Sequence, residues 1–286
     1  MCSMNAFDFQ WEGTKMAKLM SAEDIIQMRH AGKLAAEALR FAESLVQPGI
    51  STEEINKHVH NYIVERKAYP SPLNYRGFPK SVCTSVNEVI CHGIPSESKI
   101  LKTGDIVNID VTVTLNGFYG DTSKTFYVGE AAQIPADRKL VTEVSAESLA
   151  RAICVLKHGA RVGDIGHTIQ SYAEGMKCSV VRDFVGHGIG TVFHQDPAIP
   201  HFGKANTGEK LIRGMCFTIE PMINKGTWKH KLLSDGWTAV TEDGLPSAQF
   251  EHTFAISRDG VEVLTALEDD PILRRALELG AEVFRP

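Results

Sequence analysis

Four acidic residues stand in stretches too apolar to hold a bare charge. In Ile106-Val107-Asn108-Ile109-Asp110-Val111-Thr112-Val113-Thr114, period-two alternation puts Val107, Ile109, Val111 and Val113 on one face and Asn108, Asp110, Thr112 and Thr114 on the other. A strand of this composition is central and buried, and an unpaired carboxylate there costs several kcal/mol, so Asp110 needs a cation. Past the turn signal Asn116-Gly117 comes Asp121, in Phe118-Tyr119-Gly120-Asp121-Thr122-Ser123-Lys124. A hairpin through that turn brings the two aspartates onto neighbouring strands. Taken alone, Asp121 reads equally well as a turn cap or a partner of Lys124. Further on, Met215, Phe217 and Ile219 form an apolar face while Thr218 and Glu220 point the other way, and Pro221 ends the strand. Gln249, Glu251 and Thr253 alternate with Phe250, His252 and Phe254, so a third strand carries an acid. One buried acid is commonly half of a structural ion pair. Several of them, without matching buried Lys or Arg nearby in sequence, point to a metal site.

Three of the histidines stand in stretches rich in glycine or closed by proline. Gly186-His187-Gly188-Ile189-Gly190 reads as a glycine-rich turn in which little bulk blocks approach to an imidazole. His194 follows in Phe193-His194-Gln195-Asp196-Pro197, and His92 in Cys91-His92-Gly93-Ile94-Pro95 reads as a second tight turn after an apolar strand. His30, His58, His60, His158, His167, His201 and His230 lack such context and read as solvated or hydrogen-bonded rings, and His252 as structural. Cys2, Cys83, Cys91, Cys154, Cys178 and Cys216 form no CxxC pair and read as reduced thiols.

The elements that must position these groups are visible in the periodicity. Ser21 with Asp24 has the form of a capping box ahead of a helical stripe running to Leu45, and Ser51 with Glu54 opens a second helix whose buried face is Ile55, Val59, Tyr62 and Ile63. Tyr69 to Pro79 is interrupted by three prolines and a glycine and is a loop with exposed aromatics. Strand patterns run from Val82 to Val128, and helix returns from Asp137 to about Leu156. Sliding the chain on itself by 110 positions pairs Ala36 with Ala146, Leu39 with Leu149, Gly49 with Gly159, Ile55 with Ile165 and Tyr62 with Tyr172. The same offset lays Leu101 to Gly104 on Leu211 to Gly214, and Ile109-Asp110 on Ile219-Glu220. One ungapped offset superposes helix on helix, turn on turn and strand on strand, so the chain reads as a duplicated α+β half with a site at the junction.

The composition bounds the alternatives. With 43% hydrophobic residues, Lys+Arg 30 against Asp+Glu 35, Gly 24 and Pro 12 in 286 residues, disorder as the main state and collagen-like or mucin-like architectures are excluded. No apolar run approaches the ~20 residues of a membrane span, and Asp8 and Glu12 fall where a secretory apolar core would lie, so a cytoplasmic protein is expected. The net charge of -5 argues against broad nucleic-acid binding.

The motifs together resemble the type I methionine aminopeptidases, of the two-half pita-bread metallopeptidase fold, from about Ser21 to Leu267. The likeness rests on Lys80 to Pro95, Val107 to Val113, Gly120 to Phe126, Gly186-His187-Gly188-Ile189-Gly190, Phe217-Thr218-Ile219-Glu220-Pro221-Met222 and Gln249-Phe250-Glu251-His252-Thr253, in that order. It implies an α+β fold of two pseudo-symmetric halves (about 21–130 and 131–267) around a central antiparallel sheet, after a flexible leader (1–20) and before a tail (268–286) with a short helix. It implies two divalent ions (Mn, Fe, Co or Zn) on Asp110, Asp121, His187, Glu220 and Glu251. Glu220 would serve as general base, His194 would hydrogen-bond the scissile carbonyl and His92 the scissile nitrogen. A pocket for a methionine side chain would be built from Tyr75, Phe78, Cys83, Phe193 and Trp237, since a thioether suits an aromatic and thiol-lined slot.

The same resemblance implies a monovalent cation on backbone oxygens of Asn87, Val89 and Ser247, and removal of initiator methionine from nascent chains whose second residue is small. It also implies a monomer in transient contact with the ribosome, not with membranes. Two readings compete with it: a prolidase or aminopeptidase P-like Xaa-Pro peptidase, and a metal-free binding protein of the same fold. The tail from Asp270 to Gly280 reads as a capped amphipathic helix that either packs on the domain or binds a partner.

Overall fold

The computed structural model describes residues 17–285. Its first half contains α1 (Ala22–Leu45), α2 (Thr52–Glu65), β1 (Tyr69–Pro70), β2 (Cys83–Val86), β3 (Val89–Cys91), β4 (Ile106–Leu115) and β5 (Phe118–Tyr127). Its second half contains α3 (Ala136–Cys154), α4 (Val162–Gly175), β6 (Ser179–Val180), β7 (Gly186–Gly188), β8 (Gln195–Ile199), β9 (Cys216–Ile219) and β10 (Met222–Asn224). The chain continues through β11 (His230–Leu232), β12 (Ala239–Thr241), β13 (Ser247–Gln249), β14 (His252–Ile256), β15 (Val261–Val263) and α5 (Pro271–Glu278).

Local chemistry sets the first elements. Ser21 Oγ accepts the Asp24 N–H at 3.1 Å while Asp24 Oδ2 accepts the Ser21 N–H at 2.9 Å, and Ser51 with Glu54 repeats the arrangement on α2. The β4–β5 hairpin turns at Asn116 (φ 51°) and Gly117 (φ 82°), the left-handed pair that a two-residue hairpin turn requires. Its apolar face, Val107, Ile109, Val111 and Val113, packs with Ile55, Val59 and Ile63 of α2 and Leu34, Ala35 and Ala38 of α1. The opposite face of β4 is left for Asp110 and Thr112.

The repeat at 110 positions is present in three dimensions. It carries α2 onto α4 end for end, and carries the β1–β4 register Tyr69↔Thr114, Pro70↔Val113 onto the β6–β10 register Ser179↔Asn224, Val180↔Ile223. Gly49 N–H donates to Leu101 O at 2.8 Å, as Gly159 N–H does to Leu211 O at 2.8 Å. The bridge Ser51↔Ile100 recurs as Arg161↔Lys210.

The strand that carries Glu220 stops at Pro221, as expected, and resumes as β10, whereas the strand that carries Glu251 differs from the expected continuous one. Each is interrupted, at Glu220-Pro221 and at Phe250-Glu251. β9 pairs with β14 and β10 with β13 in one shared register that runs through both interruptions and sets Glu220 opposite Glu251. The central antiparallel layer is accordingly divided into hydrogen-bonded pieces. In one, β4 is flanked by β1, β2 and β5; in others the orders are β15-β14-β9-β7-β8 and β13-β10-β6. The halves join at the bridge Ser123↔Glu251 and through side chains: Asn108 Nδ2 and Thr125 Oγ1 donate to Gln249 O (2.9 and 2.8 Å), and Thr122 Oγ1 to Glu251 O (2.8 Å).

The correspondence between halves is broken at the returning strands. Asp110 and Glu220 are equivalent, but Ser123 stands opposite Asp110 whereas Glu251 stands opposite Glu220. Asp121 stands opposite Thr112, and Gln249 opposite Met222.

Both flanks of the expected domain are packed against it. Met20 is buried, and its N–H donates to Gly214 O at 2.7 Å. The expected leader otherwise falls on residues 1–16, outside the described ones. In the tail, Asp270 caps α5 through the Leu273 N–H (2.9 Å), Ile272, Leu273 and Ala276 are buried, and Arg275 pairs with Glu147 of α3 at 2.8 Å. The helix therefore packs on the domain. Among the described residues no helix is long and apolar enough to cross a membrane.

Candidate metal centre and substrate cavity

A cavity of about 450 Å³ lies over the polar face of β4 and β5, where the halves meet. Asp110, Asp121, His187, Glu220 and Glu251 all border it, drawn from β4, β5, β7 and the two strand interruptions. Thr112 Oγ1 donates to Asp121 Oδ1 at 2.7 Å across the β4–β5 ladder. Asp121, His187 and Glu251 each offer a ligand atom, and those atoms lie within 4.8 Å of one another. His187 Nε2 is 3.6 Å from Asp121 Oδ2 and 3.7 Å from Glu220 Oε1. Its Nδ1 is 3.0 Å from Gly188 O, which can only accept, so Nδ1 carries the proton and Nε2 turns a lone pair toward the acids. Glu220 is held at both oxygens: Thr218 Oγ1 donates to Oε1 at 2.9 Å and Gln249 Nε2 to Oε2 at 3.1 Å.

The electrostatics of this set call for a cation. Burial pushes Asp110 up to about 7 and Glu220 up to about 8, and it lifts Asp121 and Glu251 well above the ordinary carboxylate range, with neighbouring acids adding to the effect. Burial also brings His187 down to about 4. Asp110 Oδ1 is buried with no hydrogen-bond partner among the described residues, and among those residues no Lys or Arg pairs with any of the four acids. Lone pairs facing lone pairs, with no basic side chain among the described residues to pair them, fit a metal ion.

The other expected site residues reach the same cavity. Tyr75, Phe78, Cys83, Phe193 and Trp237 line it, with Tyr75 4.8 Å from Phe193 and Phe78 5.2 Å from Trp237 between ring centroids. Cys83 lies opposite Asp110 in the β2–β4 ladder, and burial holds its thiol well above the ordinary range. His194 Nδ1 is 2.9 Å from the Tyr75 hydroxyl. His92 sits at a left-handed φ of 56°, a costly conformation for a residue with a Cβ, and burial lowers its ring to about 4. Asn87, Val89 and Ser247 do not border the cavity; Ser247 N–H donates to Asn87 O at 2.9 Å away from it.

Two features differ from the sequence reading. Gly186-His187-Gly188 is the strand β7, not a turn. A Cβ on Gly186 would stand 2.4 Å from Thr218 O and one on Gly188 2.1 Å from Asp196 O, so the glycines admit neighbouring backbone and not a ligand. Several lining groups also carried no assigned role. Phe184 packs edge-on to His92 at 5.6 Å, Asp183 pairs with His230 at 3.1 Å, and Gln249 holds Glu220. Only Gln249 carried a signal, its alternation with Glu251; His230 and His201 reach the site through packing between distant segments.

A cavity at the junction of two like halves, walled by buried acids on one side and aromatics on the other, is the framework of a metallopeptidase. Residues 26–258 match metallopeptidase family M24, and the chain belongs to that family. Methionine aminopeptidase A of Synechocystis sp. is 54% identical over 247 residues, which cover 86% of this chain and 96% of that protein. The methionine aminopeptidase of Rickettsia prowazekii is 52% identical over 249 residues, 87% of this chain and 95% of the relative. The crystal structure of methionine aminopeptidase from Rickettsia prowazekii has a TM-score of 0.85 at 51% identity, covering 88% of this chain and 100% of that one. A prolidase from Pyrococcus furiosus shares the fold at 20% identity, with a TM-score of 0.68 over 87% of this chain and 66% of its own.

Proposed function

We propose that this chain is a metal-dependent methionyl aminopeptidase that removes the N-terminal methionine from nascent polypeptides whose second residue is small. The observation that carries this reading is the cluster of buried Asp121, His187 and Glu251, with half-buried Glu220 against His187 Nε2 and half-buried Asp110 on the same cavity, beside an aromatic slot. Asp110, Asp121, His187, Glu220 and Glu251 would hold two divalent ions, which when bound supply positive charge at the scissile carbonyl and a water ionisable near neutral pH.

The chain's own residues do the rest. Glu220, fixed by Thr218 and Gln249, takes the proton of the attacking water and returns it to the leaving amine. His194 Nδ1 lies 2.9 Å from the Tyr75 hydroxyl, and in the proposed tautomer that hydroxyl donates to Nδ1, so that Nε2–H would donate to the carbonyl oxygen as charge develops on it. His92, kept neutral by burial, contacts the scissile nitrogen. The slot of Tyr75, Phe78, Cys83, Phe193 and Trp237 takes the methionine thioether and excludes water. Phe184 lines the same cavity edge-on to His92, and beyond the scissile bond it would limit the room for the second side chain.

A monovalent cation on the carbonyls of Asn87, Val89 and Ser247 belongs to the same proposal. Its support is the approach of Ser247, at the start of β13, to Asn87, which precedes β3, and a buried Ser247 Oγ that has no partner among the described residues. The enzyme would act as a monomer, in transient contact with the ribosome.

The test is turnover of a Met-Ala peptide by metal-stripped protein titrated with Mn, Fe, Co and Zn singly. Activity restored by at least one ion is expected. No turnover with any of them would defeat the assignment, and faster cleavage of Xaa-Pro than of Met-Ala peptides would move it to the prolidase branch of the fold.

A further inference from the structure

The backbone of Glu220 is held by a side chain. Its N–H donates to His201 Nε2 at 3.1 Å, at the point where the strand breaks before Pro221. His201 follows β8 and is 0% exposed. Because Nε2 accepts, the ring proton sits on Nδ1, and Nδ1 is buried with no hydrogen-bond partner among the described residues. The ring thus makes one hydrogen bond and forgoes another, an arrangement that filling space alone does not call for. Around it, the Thr218 hydroxyl accepts the His187 N–H at 3.0 Å and donates to Glu220 Oε1, so His201 grips the backbone of Glu220 while Thr218 and Gln249 grip its carboxylate.

We propose that His201 is a positioning residue for Glu220: its neutral Nε2 fixes the backbone of the strand break, and thereby the direction in which the Glu220 carboxylate enters the cavity. This rests on the reading of Glu220 as the proton carrier. His201 touches neither substrate nor metal in this role, and Asp110, the equivalent of Glu220 in the first half, lies within the unbroken strand β4 and needs no such support.

Two variants separate positioning from packing. His201→Gln keeps a side-chain oxygen able to accept the Glu220 N–H, whereas His201→Leu fills the space without an acceptor. With saturating metal and a Met-Ala peptide, kcat of His201→Leu is expected to fall about 10- to 100-fold with KM within about twofold of the parent, and His201→Gln to recover most of kcat although both lower Tm. Equal kcat in the leucine variant and the parent, or equal loss in both variants, would overturn the proposal. Glu220→Gln measured in parallel keeps the two claims apart, because full activity there would defeat the role of Glu220 and not the hydrogen bond from its backbone. Should His201→Leu fail to fold, the ring tautomer of His201 in the intact protein, read by nitrogen-15 NMR of labelled histidine, decides. The Nδ1–H form is expected, and an Nε2–H form would refute the hydrogen bond itself.

Discussion

Thr112 and Asp121 face each other across the hairpin, and the 2.7 Å hydrogen bond between them leaves one Asp121 oxygen oriented and the other turned toward His187. Thr112 is 1% exposed, so its hydroxyl has no water to return to, and Thr112→Val removes the donor with almost no change of shape. The expected result is divalent-metal affinity weakened about 10- to 100-fold by titration calorimetry, with the far-UV spectrum unchanged. An unchanged affinity would leave the threonine a packing role only. This relation was legible in the sequence, where period-two alternation places Asp110 and Thr112 on one polar face and the Asn116-Gly117 turn returns Asp121 to it. His201 was not legible, because its role arises from the packing of a segment 19 residues before Glu220 against a strand break whose proline shows where the strand stops and not what holds it.

Elements come together here by close backbone approach. α1 crosses β5 at Gly120, where a Cβ would stand 2.5 Å from the backbone of Ala31 and Gly32. Gly120→Ala should push the helix off the strand that carries Asp121 and lower stability by about 1–3 kcal/mol, read as a lower urea midpoint at unchanged m. A parental midpoint would show that the contact yields freely. The helices were readable from their capping boxes and apolar stripes, and the hairpin from its turn residues. The stop at Pro221 was readable from the proline, but the interruption at Phe250-Glu251 was not, since no Gly or Pro marks it and polar-apolar alternation runs through it. The glycines around His187 were misread for a related reason: a residue type shows that room is needed, not what fills it.

The whole molecule folds around charges it cannot stabilise alone. Asp110 and Glu220, at about 7 and 8 in the fold against 3.8 and 4.5 ordinarily, keep protons that the unfolded chain has released. Their contribution to stability is full below the ordinary carboxylate range and is lost as pH rises through those folded values. His92 and His187, held near 4 against 6.5, act oppositely, and their contribution is lost only as pH falls below 6.5 toward 4. Between pH 6.5 and about 8.5 the acids alone decide, so Tm of the metal-free protein should fall across that range, while saturating metal should raise Tm and remove the slope. Calorimetry with and without chelator measures this, and a flat or rising metal-free Tm would contradict the burial of these acids. The broken correspondence of the halves bears on the same ions. Two identical halves would offer equivalent berths, whereas here one half contributes Asp121 where the other has Gln249, and Ser123 where the other has Glu251. The two proposed berths would therefore be chemically unlike and are expected to fill in order, one ion serving as a fixed part of the scaffold while its neighbour comes and goes.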